Sequence, residues 1–99
     1  MTWEVEFSTS AKKRKAKLPE NIKKVLASLV KDLEEEGPIR KDWPNFGPLG
    51  KQGKSIPGNA YHCHLKKGRP TYVACWVVES KTLKLVEIFY VGTHENAPY

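Results

Sequence analysis

TYVACWVV, residues 71–78, is β-branched or aromatic at almost every position. Such residues favour extended backbone, and an apolar run without alternation is typical of a strand that is covered on both faces. The preceding KGRP, residues 67–70, brings glycine and proline together, which indicates a turn. We therefore predict a central strand that the chain enters through a hairpin.

Two further runs complete an antiparallel meander with this strand. Residues 61–66 alternate in period two, so His62 and His64 share one face while apolar side chains share the other. Residues 83–91 form a third β-favouring run, reached through a short polar segment. The meander therefore carries two imidazoles side by side on one strand face.

The sequence pattern of the N-terminal half predicts one strand and two helices. Residues 2–7 alternate apolar with polar, and residues 11–17 follow hydroxyl side chains that suit a helix N-terminus. Residues 19–36 have the apolar spacing of an amphipathic helix, which Gly37 ends. The element order predicts a single α+β domain over residues 1–99. In it, a helical hairpin packs on one face of a four-stranded, mainly antiparallel sheet whose other face is open.

Composition points to a polyanionic partner. The chain has 17 Lys and Arg against 11 Asp and Glu, a formal net charge of +6. Such an excess favours nucleic acid or an acidic protein. No run approaches the ~20 apolar residues of a membrane-spanning helix, so we expect no membrane partner and a cytoplasmic location. In that compartment Cys63 and Cys75 are expected to be free thiols, although their spacing also permits a cross-strand disulfide.

Two segments concentrate positive charge outside the meander. The first helix is dominated by Lys and Arg, which indicates either a solvated face or a contact with phosphates or an acidic partner. The loop 38–59 is rich in Pro, Gly and Lys, and its apolar side chains are expected to attach it to the domain. Lys51 and Lys54 would then be available to a polyanion.

The sequence resembles the RelE/ParE superfamily, toxins of type II toxin–antitoxin pairs. The resemblance covers essentially the whole chain and depends on the order and spacing of four segments. These are WEVEFS at 3–8, KLP at 17–19, YxxxLKxG at 61–68 and VGxH at 91–94. It implies the RelE-like α+β fold.

The resemblance also implies an activity. RelE-like members are RNases that cleave mRNA in the ribosomal A site, which would make this chain a metal-independent endoribonuclease that inhibits translation without a cofactor. The implied partners are mRNA on the ribosome and a cognate antitoxin with an acidic segment, through which an oligomer could form. The alternatives are a ParE-like gyrase inhibitor and a catalytically silent module that binds antitoxin or RNA.

Site residues follow from the same resemblance. RelE-like toxins carry basic residues at alternating positions of the strand after the long loop, where this chain has His62 and His64. His94 follows the Val-Gly pair, and Tyr99 matches the closing aromatic. The implied catalytic set is thus His62, His64, His94 and Tyr99, with Lys51, Lys54, Lys66 and Arg69 as the groups that bind RNA phosphates.

Histidine suits this chemistry, since an ordinary pKa near ~6.5 allows it to act as base or acid near neutral pH. Lysine and arginine can stabilise charge on the reacting phosphate. Which histidine is base and which is acid stays open. Two other interpretations also stay open: that His62 and His64 are solvated residues without a role, and that three imidazoles bind zinc.

Overall fold

A computed structural model describes residues 2–49 and 59–98, and this part of the chain forms an α+β domain with helices on one face of a mixed sheet. Its elements in chain order are β1 (Glu4–Phe7), α1 (Thr9–Ala16), α2 (Glu20–Glu36), β2 (Gly47–Pro48), β3 (Ala60–Lys66), β4 (Tyr72–Ser80), β5 (Leu85–Thr93) and a 3₁₀-helix (His94–Asn96). The predicted helices and meander are confirmed. None of the helices in these two segments is long and apolar enough to cross a membrane.

The sheet has five strands in the order β1-β5-β4-β3-β2, not the predicted four. The additional strand is β2, whose Gly47 pairs with His62. A Gly-Pro pair has low strand propensity, so the sequence gives no sign of it. β1 runs parallel to β5, and the other neighbours are antiparallel.

The strand boundaries also differ from the prediction, most clearly in the first and last strands of the chain. The opening strand begins at Glu4 and the last strand covers Leu85–Thr93, two residues later than expected. Leu83 belongs to the preceding turn, where its backbone N–H donates to the Ser80 hydroxyl at 3.0 Å. Lys84 closes that turn with a positive φ of 54°.

The main core lies between the helices and the sheet. α2 buries a single stripe, as its spacing predicts, with each member at most 1% exposed: Ile22, Leu26, Leu29 and Leu33. Trp76 of β4 is fully buried in the same cluster, and its indole N–H donates to the Pro38 carbonyl at 3.0 Å. The loop after α2 is therefore attached to the centre of the sheet.

The opposite face of the sheet is partly covered, so the prediction of an open face is wrong there. Leu49, which follows β2, is fully buried in a second apolar cluster with Val73, Cys75 and Tyr90. Because β4 contributes to both clusters, six consecutive residues from Val73 to Val78 are buried. This confirms the prediction of a strand that is covered on both faces.

Strand pairing places the two cysteines on opposite faces. Cys63 lies beside Ala74, while Cys75 lies beside His62. Neighbouring positions of a strand point to opposite faces, so the sulfur atoms cannot form a bridge. Both thiols are free and buried, and burial raises the pKa of Cys75 to about 12.

Truncation of the buried α2 stripe should destabilise the domain. Leu29→Ala removes a fully buried side chain, so we expect a loss of ~2–5 kcal/mol in the free energy of unfolding by urea. Leu83→Ala is the matched control, because Leu83 is 75% exposed; its effect should stay within ~0.5 kcal/mol. Equal losses in the two variants would contradict this assignment of the core.

Candidate functional site

β3 presents His62 and His64 on the face of the sheet away from the helices, as the alternation predicts. The Nδ1 atom of His62 lies 3.0 Å from the Gly47 carbonyl oxygen. A carbonyl only accepts, so Nδ1 carries the hydrogen. Burial is the largest cause of a lowered pKa at His62. The hydrogen bond to the Gly47 carbonyl raises this pKa, whereas the nearby His64 and His94 lower it further.

His64 is attached to the loop between α2 and β2. Its backbone N–H donates to the Pro44 carbonyl at 2.8 Å. In the side chain, Nε2 lies 3.2 Å from the Asn45 amide nitrogen, whereas Nδ1 is buried without a hydrogen-bond partner among residues 2–49 and 59–98. Burial lowers the pKa of His64, and the positive charges of His94 and Lys67 lower it further.

His94 lies close to His64 because β5 returns beside β4. It begins the 3₁₀-helix after β5, and its backbone N–H donates to the Thr71 carbonyl at 2.8 Å. Its ring centroid is 5.9 Å from that of His64, with the two rings edge to face. The hydroxyl of Tyr90 donates to the Thr93 carbonyl at 2.6 Å, which fixes the backbone just before His94.

His64 and His94 meet in a surface pocket between the β3–β4 hairpin and the end of β5. Arg69, in the hairpin, lines the same pocket. The hairpin is held by the Thr71 hydroxyl, which donates to the Gly68 carbonyl at 2.8 Å. The pocket is lined by His64, Gly68, Arg69, Pro70, Thr71, Thr93, His94 and Glu95. It therefore combines two imidazoles, a guanidinium and two threonines with one carboxylate.

The structure brings together only part of the predicted set. His64, His94 and Arg69 share the pocket, whereas His62 and Lys66 are not among its lining residues. Lys66 is exposed at the end of β3. The predictions for Lys51, Lys54 and Tyr99 lie outside the described residues.

Several other residues near the histidines were not predicted. Thr71 and Glu95 line the pocket, and Asn45 contacts His64. Thr71 could have been found from its position beside the hairpin, and Glu95 from its place next to His94. Nothing in the sequence places Asn45 beside His64, since they are 19 positions apart.

The charged residues of α1 form a second basic surface. The residues from Lys12 to Lys17 are exposed, which agrees with a solvated helix face. Arg14 is also ordered by contact, since its guanidinium carbon lies 4.9 Å from the centre of the Tyr90 ring. Within the described segments, no group of three or more His, Cys, Asp or Glu side chains is arranged to hold a metal ion.

Comparison with solved structures identifies the class of fold. The archaeal RelE–RelB complex from Pyrococcus horikoshii OT3 contains a chain with a TM-score of 0.72 and 19% identity, over 98% of this chain and 100% of the other. A mutant of the E. coli toxin RelE in the free state has a TM-score of 0.68 and 19% identity, over 96% of this chain and 86% of that chain. The toxin–antitoxin complex RelBE2 from Mycobacterium tuberculosis contains a chain with a TM-score of 0.56 and 21% identity, over 95% of this chain and 100% of that chain.

These similarities cover at least 95% of this chain, so the protein has the RelE-like fold. No protein-family model and no curated protein sequence matches it. At these identities the likeness establishes the fold alone.

The two strand histidines should make stability depend on pH. Each has an ordinary pKa of 6.5 and a lower one in the folded protein. Between those two pKa values the unfolded chain binds more protons than the folded protein. The free energy of unfolding is therefore greatest above about pH 6.5 and falls as the pH is lowered below that value. Urea unfolding between about pH 5.5 and 7.5 should show this slope.

Combined His62→Gln and His64→Gln substitutions should flatten that slope, because both titrating groups are removed. Lys81→Gln is a control on the exposed β4–β5 turn and should keep the native slope. An identical pH dependence in the native chain and the double variant would contradict the assignment.

Proposed function

We propose that this protein is the toxin of a type II toxin–antitoxin system and acts in the cytoplasm as a metal-independent endoribonuclease on mRNA at the ribosome. The observation that carries the proposal is the pocket in which His64, Arg69 and His94 converge on a RelE-like fold. Two imidazoles 5.9 Å apart between ring centroids, next to a guanidinium, match the needs of RNA cleavage.

The reaction needs no group other than RNA and these side chains. A base removes the proton of a 2′-hydroxyl, whose oxygen attacks the adjacent phosphorus. The bond from phosphorus to the 5′-oxygen breaks, and an acid donates a proton to that oxygen. The products are a 2′,3′-cyclic phosphate and a free 5′-hydroxyl. One imidazole would serve as base and the other as acid, while Arg69 would stabilise the charge on the phosphate oxygens.

The remaining predicted residues are proposed in supporting roles. His62 would orient the phosphate near His64, and Tyr99 would support the acid or stack on a base. Lys51, Lys54 and Lys66 would contact neighbouring phosphates. Because the exposed α1 surface carries several positive charges, we propose it as the docking surface for an acidic antitoxin segment.

Inducible expression in a bacterium, with primer extension on translated transcripts, tests the activity. The native chain should arrest growth and produce new cuts in phase with codons. Combined His64→Gln, Arg69→Gln and His94→Gln substitutions should reduce cleavage at least ~10³-fold, because acid–base groups each contribute ~10²–10⁴-fold. Lys81→Gln, which removes one positive charge at the far end of the sheet, should cleave like the native chain.

Each alternative gives a different result in the same experiment. Growth arrest without cuts would contradict the RNase and lead to a supercoiling assay for gyrase inhibition. Neither arrest nor cuts, in a chain shown to fold, would favour a silent binding module. Cuts that persist in the triple variant would remove the pocket from the mechanism.

A further inference from the structure

The contact between Asn45 and His64 defines the protonation of the imidazole. The Asn45 amide nitrogen lies 3.2 Å from Nε2 of His64, and an amide nitrogen can only donate. With the amide in this orientation, Nε2 accepts through its lone pair, and in the neutral ring the hydrogen is on Nδ1. That hydrogen has no acceptor within the described part of the chain.

The buried position of Nδ1 makes this arrangement informative. A buried polar atom without a partner is unusual in folded proteins and calls for a specific cause. A buried N–H without an acceptor is unfavourable, so the Nδ1–H form depends on an Asn45 amide that donates to Nε2, whereas a rotated amide would place its oxygen there and favour a hydrogen on Nε2. The imidazolium form would need hydrogens on both nitrogens, and Asn45 as oriented would then face Nε2–H with its own N–H group.

We propose that Asn45 is a positioning residue that holds His64 as the neutral Nδ1–H tautomer and leaves Nε2 as a proton acceptor. Asn45 is exposed, so a hydroxyl from a ligand can replace its amide at Nε2. If the proposed RNase function holds, on which this use depends, His64 is the base that accepts the 2′-hydroxyl proton. His94 is then left as the acid.

The local backbone supports a fixed role for Asn45. It has a left-handed φ of 57°, which asparagine adopts more readily than most residues. The adjacent Pro44 carbonyl accepts the backbone N–H of His64 at 2.8 Å. The Pro44 carbonyl and the Asn45 amide of this turn thus both contact His64, which fixes the amide relative to the imidazole ring.

Other charged groups around His64 must be considered in any test that changes pH. His62 precedes it on β3, and Lys67 and Arg69 belong to the following hairpin. His94 and Glu95 face it from the end of β5. These groups are the same in all the variants below, so differences between variants report on Asn45.

Two variants separate the hydrogen bond from the turn. Asn45→Asp keeps the size and the left-handed preference but can only accept, so it should force the hydrogen onto Nε2 and raise the pKa of His64. Asn45→Gly keeps the left-handed turn and removes the side chain. Asn21→Asp, on the exposed surface of α2, adds the same charge as a control. Equal urea unfolding midpoints would show that all variants fold.

The tautomer can be measured directly by NMR on protein labelled with ¹⁵N-histidine, with assignments from His62→Gln and His94→Gln. The native chain and Asn21→Asp should show His64 with Nδ1 protonated, and Asn45→Asp should show it with Nε2 protonated. Asn45→Gly should lose the native preference. A native His64 protonated on Nε2, or a tautomer unchanged in both Asn45 variants, would overturn the proposal.

Cleavage adds a second readout. Asn45→Asp and Asn45→Gly should slow cleavage at neutral pH by at least ~10-fold, within the range of a general base, and the acid limb of the pH profile should move to higher pH in Asn45→Asp. Normal cleavage with the expected tautomer change would overturn the positioning role in the reaction. An inactive native chain that shows the expected tautomers would refute the proposed function and uphold the assignment of Asn45 to His64.

Discussion

The pairing of β4 with both of its neighbours determines where the three candidate histidines lie. Val73 sits opposite His64 on one side and opposite Gly92 on the other, which places β3 and the end of β5 around a shared point. A slip of one residue in β3 would turn both of its histidines toward the helices and put Cys63 in the pocket. Trp76, fully buried on the helix side of β4, fixes that strand against the loop after α2, since its indole N–H donates to the Pro38 carbonyl. Burial on both faces of one strand is therefore the condition for the site.

The same burial sets the chemistry of the pocket. Desolvation is the largest effect on both strand histidines and disfavours their charged forms, so the pKa of His62 and of His64 is lowered. A guanidinium, in contrast, remains charged in proteins, and Arg69 sits at the exposed rim of the hairpin. The site thus combines an imidazole that favours neutrality, His64, with a permanent cation, Arg69. A lysine in place of His64 could not serve as a neutral acceptor at the same pH without a much larger desolvation.

The sequence was sufficient where local patterns decide the structure. The stripe of α2, the alternation of β3 and the uniform apolar run of β4 each have one physical interpretation, and all three were predicted correctly. It was insufficient where distant segments decide. β2 forms only because Gly47 can pair with His62, and the pocket exists only because the hairpin carries Arg69 to the end of β5. The resemblance suggested the histidines as a group, but which of them converge depends on strand register, and no residue pattern encodes the contact with Asn45.

The structure gives a physical reason for the glycine in the Val-Gly-x-His segment, residues 91–94. Gly92 has a φ of +155°, and a Cβ built there would lie 2.8 Å from the Tyr90 hydroxyl. That hydroxyl donates to the Thr93 carbonyl, the last backbone acceptor before His94. Any larger residue at position 92 would displace either the hydroxyl or the backbone that it holds. The glycine of Val-Gly-x-His is therefore required by the tyrosine before it, and the pair together direct the chain so that His94 arrives beside His64.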